Sequence, residues 1–300
     1  MTVQALVVGS LVMDLAFRVP RRPEVGELVL AQEFGAFRGG KGYNQAVALA
    51  RLGAHVTMIG AVGFDEYGES FLSALADEGI DAGRVVQIRG TSTGIAVPLI
   101  TPDGRATFVQ YPGANRYLAP AHCAEMPDCD VLMLQGEVSA GTSQYAARVI
   151  RKRDKLVTLR PTAVEASAPE LLETAGLLVG NQAELVTALE QRLEGEALVR
   201  ALATDSRGAV LTLDAEGAAW ANAEGSGFVA APEVNAVDTT ASGASFDAAL
   251  AVALAEGKPY PDAVAFACAA GAYTATVRGA EPSLPTRSQV EATLAAGQPA

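Results

Sequence analysis

The sequence predicts a doubly wound, mostly parallel α/β sheet flanked by helices, with a small antiparallel β lid. Three observations predict it. Short apolar runs that end in glycine or a polar residue recur along the chain. Helix-length amphipathic stretches fall between them. Two segments, 11–38 and 91–113, break that rhythm with shorter alternating patterns and turn signals. Strand and helix in alternation is the pattern of a doubly wound sheet.

The first apolar run, 5–8, reads as the first strand, and runs of the same kind recur at 56–59, 131–134, 156–159, 177–179 and 209–213. Most are rich in Leu or β-branched residues, which suits strands buried on both faces. The stretches 44–52, 67–78, 143–152, 182–189 and 196–203 are the expected helices. Within the second lid segment, 95–101 and 106–111 are β-prone and flank Pro102-Asp103-Gly104. Asp-Gly between two such runs signals a hairpin. The Ala-rich stretch 245–275 reads as helices packed through small side chains. No repeat, low-complexity tract or long linker divides the chain, so one domain is expected over 1–300, with lid strands inserted at about 11–38 and 91–113.

Composition narrows the function classes. The chain has 300 residues, of which 50% are hydrophobic and 19% charged, enough apolar material for a large core and against global disorder. Its net charge of −12 argues against a general nucleic-acid or anionic-membrane binder, whose affinity needs basic patches. A nucleotide site stays open, because it needs only local positive charge and aimed backbone N–H groups. No apolar run reaches the roughly 18 residues of a spanning helix. The start, MTVQALVVGS, lacks a basic region and a cleavage site, so a cytoplasmic location is expected. Cys123, Cys129 and Cys268 form no C-x-x-C pair and read as small buried residues in a reducing compartment. His55 and His122 lie far apart without metal-ligand spacing.

Three motifs have the makings of a site. In Arg38-Gly39-Gly40-Lys41-Gly42-Tyr43-Asn44-Gln45-Ala46 the glycines permit close backbone approach, and Lys41 and Asn44 offer hydrogen bonds to hydroxyls of a polar ligand. Gly35 to Lys41 fits G-x-x-x-x-G-K, but Gly42 stands where a P-loop needs Ser or Thr, so that reading is rejected. In Val237-Asp238-Thr239-Thr240-Ala241-Ser242-Gly243-Ala244-Ser245-Phe246-Asp247, small residues precede an Ala-rich helix whose N-terminus would face an anion. In Asn181-Gln182-Ala183-Glu184 the Asn and Glu follow a buried run, either to organise Mg²⁺ or to cap the next helix. All three fall at strand C-terminal ends, where open α/β sheets place ligands. No G-x-G-x-x-G follows the first strand, which disfavours an NAD-linked enzyme.

Taken together, the motifs resemble those of the ribokinase, or PfkB, family of carbohydrate kinases, over nearly the whole chain and in order. Gly39 to Ala48 with Arg51-Leu52-Gly53-Ala54 is similar to its first signature, and Gly60 to Gly68 to the segment after it. Thr91-Ser92-Thr93-Gly94 and Gly113-Ala114-Asn115 match the lid and nearby loop, Asn181-x-x-Glu184 the N-x-x-E, Val237 to Thr240 the opening of the second signature, and Arg278 to Pro285 the C-terminal loop. The resemblance implies transfer of the ATP γ-phosphate to a hydroxyl of a sugar or sugar-like substrate. It places Asp14, Gly40, Lys41, Asn44 and Glu137 at sugar-contacting positions. It places Asn181 and Glu184 as organisers of Mg²⁺ and phosphate, with Glu184 acting through water, and Asp238 and Thr240, with the 278–283 loop, beside K⁺. Asp214, Gly217, Ala241, Ser242 and Gly243 fall on the nucleotide and anion-hole positions. A homodimer through the lid is implied; no nucleic-acid or membrane partner is expected.

The chain departs from the family pattern chiefly on the phosphate side. The family reads D-T-x-G-A-G-D where this sequence has Asp238-Thr239-Thr240-Ala241-Ser242-Gly243-Ala244, so the general-base position is Ala244 and the first anion-hole Gly is Ala241. Asp214-Ala215-Glu216-Gly217 replaces G-x-x-G and puts carboxylates near the expected phosphates. Arg160-Pro161 replaces Asn-Pro, and Val12 replaces a sugar-binding Asn. Asp247 is a weak substitute base, expected as a solvated helix-N-terminal carboxylate, and Arg160 is expected in a surface ion pair or at phosphate. Two expectations result: a sugar kinase of impaired catalysis, or a pseudokinase that binds a sugar or nucleoside as a sensor or partner protein.

Overall fold

The computed structural model describes residues 2–103, 105–161, 169–186, 193–205 and 207–297. In chain order the elements begin with β1 (Gln4–Val8), β2 (Val12–Arg18), β3 (Glu33–Gly39), α1 (Lys41–Arg51), β4 (His55–Gly63), α2 (Glu66–Asp77), β5 (Asp81–Ile88), β6 (Gly94–Ile100) and β7 (Ala106–Tyr111). They continue with β8 (Val131–Gln135), α3 (Ala140–Arg151), β9 (Leu156–Arg160), α4 (Pro169–Thr174), β10 (Leu177–Asn181), α5 (Gln182–Val186), α6 (Gly195–Leu202), β11 (Gly208–Thr212), β12 (Gly217–Asn222) and β13 (Gly225–Ala230). The chain closes with α7 (Ser242–Ala255), α8 (Tyr260–Ala275), α9 (Ala280–Ser283) and α10 (Arg287–Ala296).

Nine strands form the main sheet in the order β13-β12-β11-β10-β9-β8-β1-β4-β5. The seven from β5 to β11 are parallel, and β12 and β13 add an antiparallel edge. Every run read as a strand is one, and the apolar core lies on both faces of the sheet. Three strands carried no such run. β5 is an edge strand that alternates exposed and covered residues, and β12 and β13 are built of Gly, Ala and Ser with few large apolar side chains. The expected helix 182–189 is seen as α5, and 187–189 lie outside the described residues. Helices α7 and α8 pack on each other through alanine, as the composition of 245–275 implies.

The lid is a separate four-stranded sheet, β3-β2-β6-β7. Its outer pairings are antiparallel, including the β6–β7 hairpin, whose Gly104 lies outside the described residues. The central β2–β6 pairing is parallel. The reason is topological: β2 continues from β1 and β6 from β5, two parallel strands of the main sheet, so both leave the same edge in the same direction.

The start of α1 is pressed onto the end of β1. A Cβ on Gly42 would lie 2.7 Å from the Gly9 carbonyl carbon and 2.8 Å from Gly9 Cα, so only glycine fits. The three free cysteines are buried, and burial pushes their thiols up to about 11 (Cys123), about 11 (Cys129) and about 12 (Cys268), as expected of inert packing residues.

Two positions where the sequence departs from a glycine of the resembled pattern take a left-handed backbone. Ala241 has φ 65 and Asp214 has φ 49. A left-handed conformation costs an L-residue about 1–2 kcal/mol, partly offset by the extra chain entropy that glycine would lose on folding. Ala241→Gly is therefore expected to stabilise the protein by about 0.5–1 kcal/mol, read as a higher urea midpoint at unchanged slope; an unchanged or lower midpoint would contradict this account.

Candidate functional site

The C-terminal edge of the parallel strands, the first turns of α1 and α7 and the underside of the lid enclose a cavity of about 720 Å³. Of the strand ends, Arg160 of β9 lines it, beside Gln135 of β8 in register; Asn181 ends β10 next to them. Thirteen of the residues singled out from the sequence line the cavity: Val12, Asp14, Gly40, Lys41, Asn44, Glu137, Arg160, Glu184, Thr240, Ala241, Gly243, Ala244 and Asp247.

One end is built around Glu137. Helix α1 has Gly40 at its N-cap, with φ 90 and no capping side chain. Glu137 supplies the cap from outside: its Oε2 accepts from the Lys41 backbone N–H at 2.9 Å and also from the Ser10 hydroxyl, while Oε1 pairs with Lys41 Nζ at 3.3 Å. A carboxylate at a helix N-terminus is favoured by the orphan N–H groups and the dipole. Asp14 projects from β2 close to Gly39, where a Cβ would meet its carboxylate carbon at 3.1 Å. Burial pushes the Asp14 carboxyl up to about 7, the nearby Glu137 adds to the rise, and Lys41 opposes it. Near neutral pH this carboxyl can therefore donate or accept. Asn44 Oδ1 is buried with no partner in the protein, an acceptor that a ligand hydroxyl would satisfy. Donors and acceptors at close quarters in a half-buried cavity suit a polyhydroxylated ligand.

The other end is different. Asp247 is 3% exposed and Arg160 8% exposed, and they form an ion pair at 2.8 Å. This corrects both expectations: Asp247 is not solvated, because its α7 face turns inward against α1, and Arg160 is not on the surface, because it ends an interior strand. Arg160 also reaches Glu184, with Nη2 2.9 Å from Oε2, and lies against Gly243, where a Cβ would be 3.0 Å from both terminal nitrogens. The second Asp247 oxygen accepts from Gln45 Nε2 at 2.9 Å, and Gln45 accepts from Gln135 Nε2 at 2.5 Å. Burial pushes Asp247 upward against the pull of Arg160, and the two carboxylates hold Arg160 charged in spite of its own burial.

Five other residues lie off the cavity wall. Asn181 and Glu184 cap each other reciprocally at 2.9 Å across the start of α5, the capping arrangement that the spacing allowed. Asp238 accepts from Thr240 and from the Gly279 N–H at 2.9 Å, tying the second signature to the C-terminal loop. Ser242 starts α7 with its hydroxyl buried and unpartnered. Asp214 sits with Glu216 on an exposed turn, and Gly217 takes φ 128 under Val229. The carboxylates of 214 and 216 therefore do not reach this cavity.

Gln45, in the first motif but given no role there, and Gln135 beneath it are the polar residues whose part the sequence did not reveal. A glutamine directly after the apolar run 131–134, and one inside a buried helix, were the available signals. Phe108 and Gln110 of β7, at the lid, complete the wall.

Residues 3–287 match the model of a family described as pfkB family carbohydrate kinase. Among curated relatives, the ribokinase of Haemophilus influenzae is 32% identical over 292 residues, covering 94% of this chain and 95% of the relative. Among solved structures, ribokinase from Thermotoga maritima superposes with a TM-score of 0.87 at 28% identity, covering 98% of this chain and 99% of its own. Arabidopsis thaliana ribokinase complexed with ribose and ATP gives a TM-score of 0.86 at 28% identity, with the same coverages.

The raised Asp14 carboxyl has a consequence for stability. The unfolded chain releases this proton near the ordinary value of 3.8, the folded protein only near about 7. Between those values the native state binds more protons than the unfolded state, so this group's contribution falls as pH rises through that window. Asp14→Asn removes the effect: relative to the wild type, the variant is expected to gain stability between about pH 4.5 and 7.5. Urea unfolding at both pH values checks it, and a parallel response of the two proteins would refute the assignment.

Proposed function

The chain belongs to the pfkB family of carbohydrate kinases, and on that premise we propose that its cavity binds a sugar or sugar-like molecule and that the ATP γ-phosphate is transferred to one of its hydroxyls with impaired catalysis. The observation that carries this reading is the Glu137 end of the cavity. There Asp14, Lys41 and Asn44 offer hydroxyls both donors and acceptors beside the N-terminus of α1. The N-terminus of α7 opens on the same cavity and is suited to phosphate oxygens.

Impairment is argued from what α7 presents. Ala244 lines the cavity where the family pattern has Asp, and a methyl group accepts no proton. A positioned base contributes about 10²–10⁴-fold. Positioning and charge stabilisation, on which phosphoryl transfer chiefly relies, remain available. Asp247 is the next carboxylate along α7, but its two oxygens already accept from Arg160 and Gln45. ATP is the donor in this reading, with K⁺ beside Asp238 and Thr240. The donor set fits Mg²⁺ poorly, since Arg160 lies against Glu184.

A second reading, a pseudokinase that binds a sugar or nucleoside without turnover, as a sensor or partner protein, is favoured by one observation: the buried Arg160 ion pair lies beside the first turn of α7. ADP release with a panel of pentoses, hexoses and nucleosides separates the readings. Ala244→Asp is expected to raise slow wild-type turnover by about 10²-fold or more. Glu137→Gln is expected to weaken sugar binding in calorimetric titration. Wild-type turnover that is fast and lost in Asp247→Ala would exclude impairment, and sugar binding without ATP binding would exclude the kinase.

One domain over 1–300 and a homodimer through the lid are part of the same proposal, with the cytoplasm as the compartment. No described helix is long and apolar enough to cross a membrane. The lid exposes Leu28 (81%), Leu30 (79%) and Val109 (69%), an apolar surface of the kind that pairs with another chain. Light scattering is expected to give a dimer for the wild type and a monomer for Leu28→Asp/Leu30→Asp; a dimer in both would reject the lid as the interface.

A further inference from the structure

We propose that the Arg160 guanidinium is a built-in occupant of the place a divalent cation would take in this cavity, so that Mg·ATP binds only by displacing it from Glu184. The inference rests on reading the cavity as a nucleotide and sugar site, and goes beyond it by naming the residue that limits the nucleotide.

The geometry carries it. Arg160 bridges two carboxylates from different elements, Asp247 of α7 at 2.8 Å and Glu184 of α5 at 2.9 Å, and its Nη1 reaches the Gly243 carbonyl at 3.4 Å. Glycine at 243 is what lets the guanidinium lie so close to the helix. The arrangement is braced from below, because Gln135 donates to Gln45 and Gln45 to Asp247, which fixes the carboxylate that Arg160 faces.

The chemistry of the donor set agrees. Mg²⁺ asks for oxygen ligands in near-octahedral array and gives up its waters reluctantly. Among the described residues no cluster of three or more His, Cys, Asp or Glu side chains is placed to hold a metal. The carboxylates at this end are instead neutralised by a planar cation whose several donors match them in charge-assisted hydrogen bonds. Such bonds are stronger where burial lowers the local dielectric, as it does at Arg160 and Asp247. Lys41, the other cationic side chain on the wall, is paired with Glu137 at the far end. A magnesium-bound triphosphate therefore meets Glu184 already engaged, and its binding includes the work of moving a buried arginine.

Removing Arg160 alone would leave two carboxylates buried together, which is strongly destabilising. The test variant is accordingly Arg160→Asn/Asp247→Asn, which deletes the pair as a unit, with Arg160→Lys as a second variant that keeps the charge but loses the fork. Calorimetric titration of Mg·ATP, and of ATP with Mg²⁺ chelated, is run on each full-length protein. The double variant is expected to bind Mg·ATP about tenfold more tightly than the wild type, the scale of one charge-assisted hydrogen bond. Arg160→Lys is expected in between, and the gain should vanish without Mg²⁺. Equal Mg·ATP affinity in wild type and variants, whether tight or undetectable, overturns the proposal, as does a gain that persists without Mg²⁺. The sugar reading fails separately, through absence of binding across the sugar and nucleoside panel, whatever Mg·ATP does.

Discussion

A single buried run of polar contacts joins the parts of this molecule that form its cavity: Gln135 to Gln45, Gln45 to Asp247, Asp247 to Arg160, Arg160 to Glu184. It begins at the end of β8, crosses to α1, passes to α7, returns to the end of β9 and finishes on α5. Burying two carboxylates and a guanidinium carries a large desolvation cost, which is recovered only when the geometry satisfies nearly every donor and acceptor. The run meets that condition along most of its length, so the relative placement of α1, α5, α7 and the ends of β8 and β9 is tightly constrained. Gln135 Oε1 is its one orphaned atom, buried without a partner.

That constraint gives the cavity two ends of opposite character. At α1, Glu137 caps the helix from a neighbouring strand edge and stands with Asp14, Lys41 and Asn44 around space that polar groups can share with a ligand. At α7, charges that might have met a ligand meet each other. The lid connects to the first end: β2 carries Asp14, β3 leads through Gly39 into α1, and Arg38 at the base of β3 is held by Glu281 of α9 at 2.8 Å. Tyr43 also donates to Glu281, at 2.9 Å, so the C-terminal loop serves as a strut for the lid. Its outer surface remains apolar and exposed.

Much of this was legible beforehand for a physical reason. Strands buried on both faces must be apolar throughout, so the parallel core wrote itself into runs such as 131–134 and 177–179. Strands with one solvated face or small side chains, β5, β12 and β13, left no such run. The residues that line the α1 end of the cavity were legible because glycines near a helix start and the polar residues around them are local in sequence. Backbone conformation at Ala241 and Asp214 was not legible: the surrounding turns impose φ > 0 there on residues that do not favour it.

The sequence by itself determined the fold class, the lid, the helix that begins at the second signature and the alanine at 244, because these depend on local pattern or on the identity of one residue. It did not determine what Arg160 and Asp247 do. They are 87 positions apart, and each in isolation reads as an ordinary surface charge. Only when the fold brings the end of β9 against the first turns of α7 and α5 does the arginine meet two carboxylates in a largely buried setting, and there an ion pair that would be nearly neutral at the surface becomes the feature that decides how much of the cavity's negative charge is left for a cation from outside.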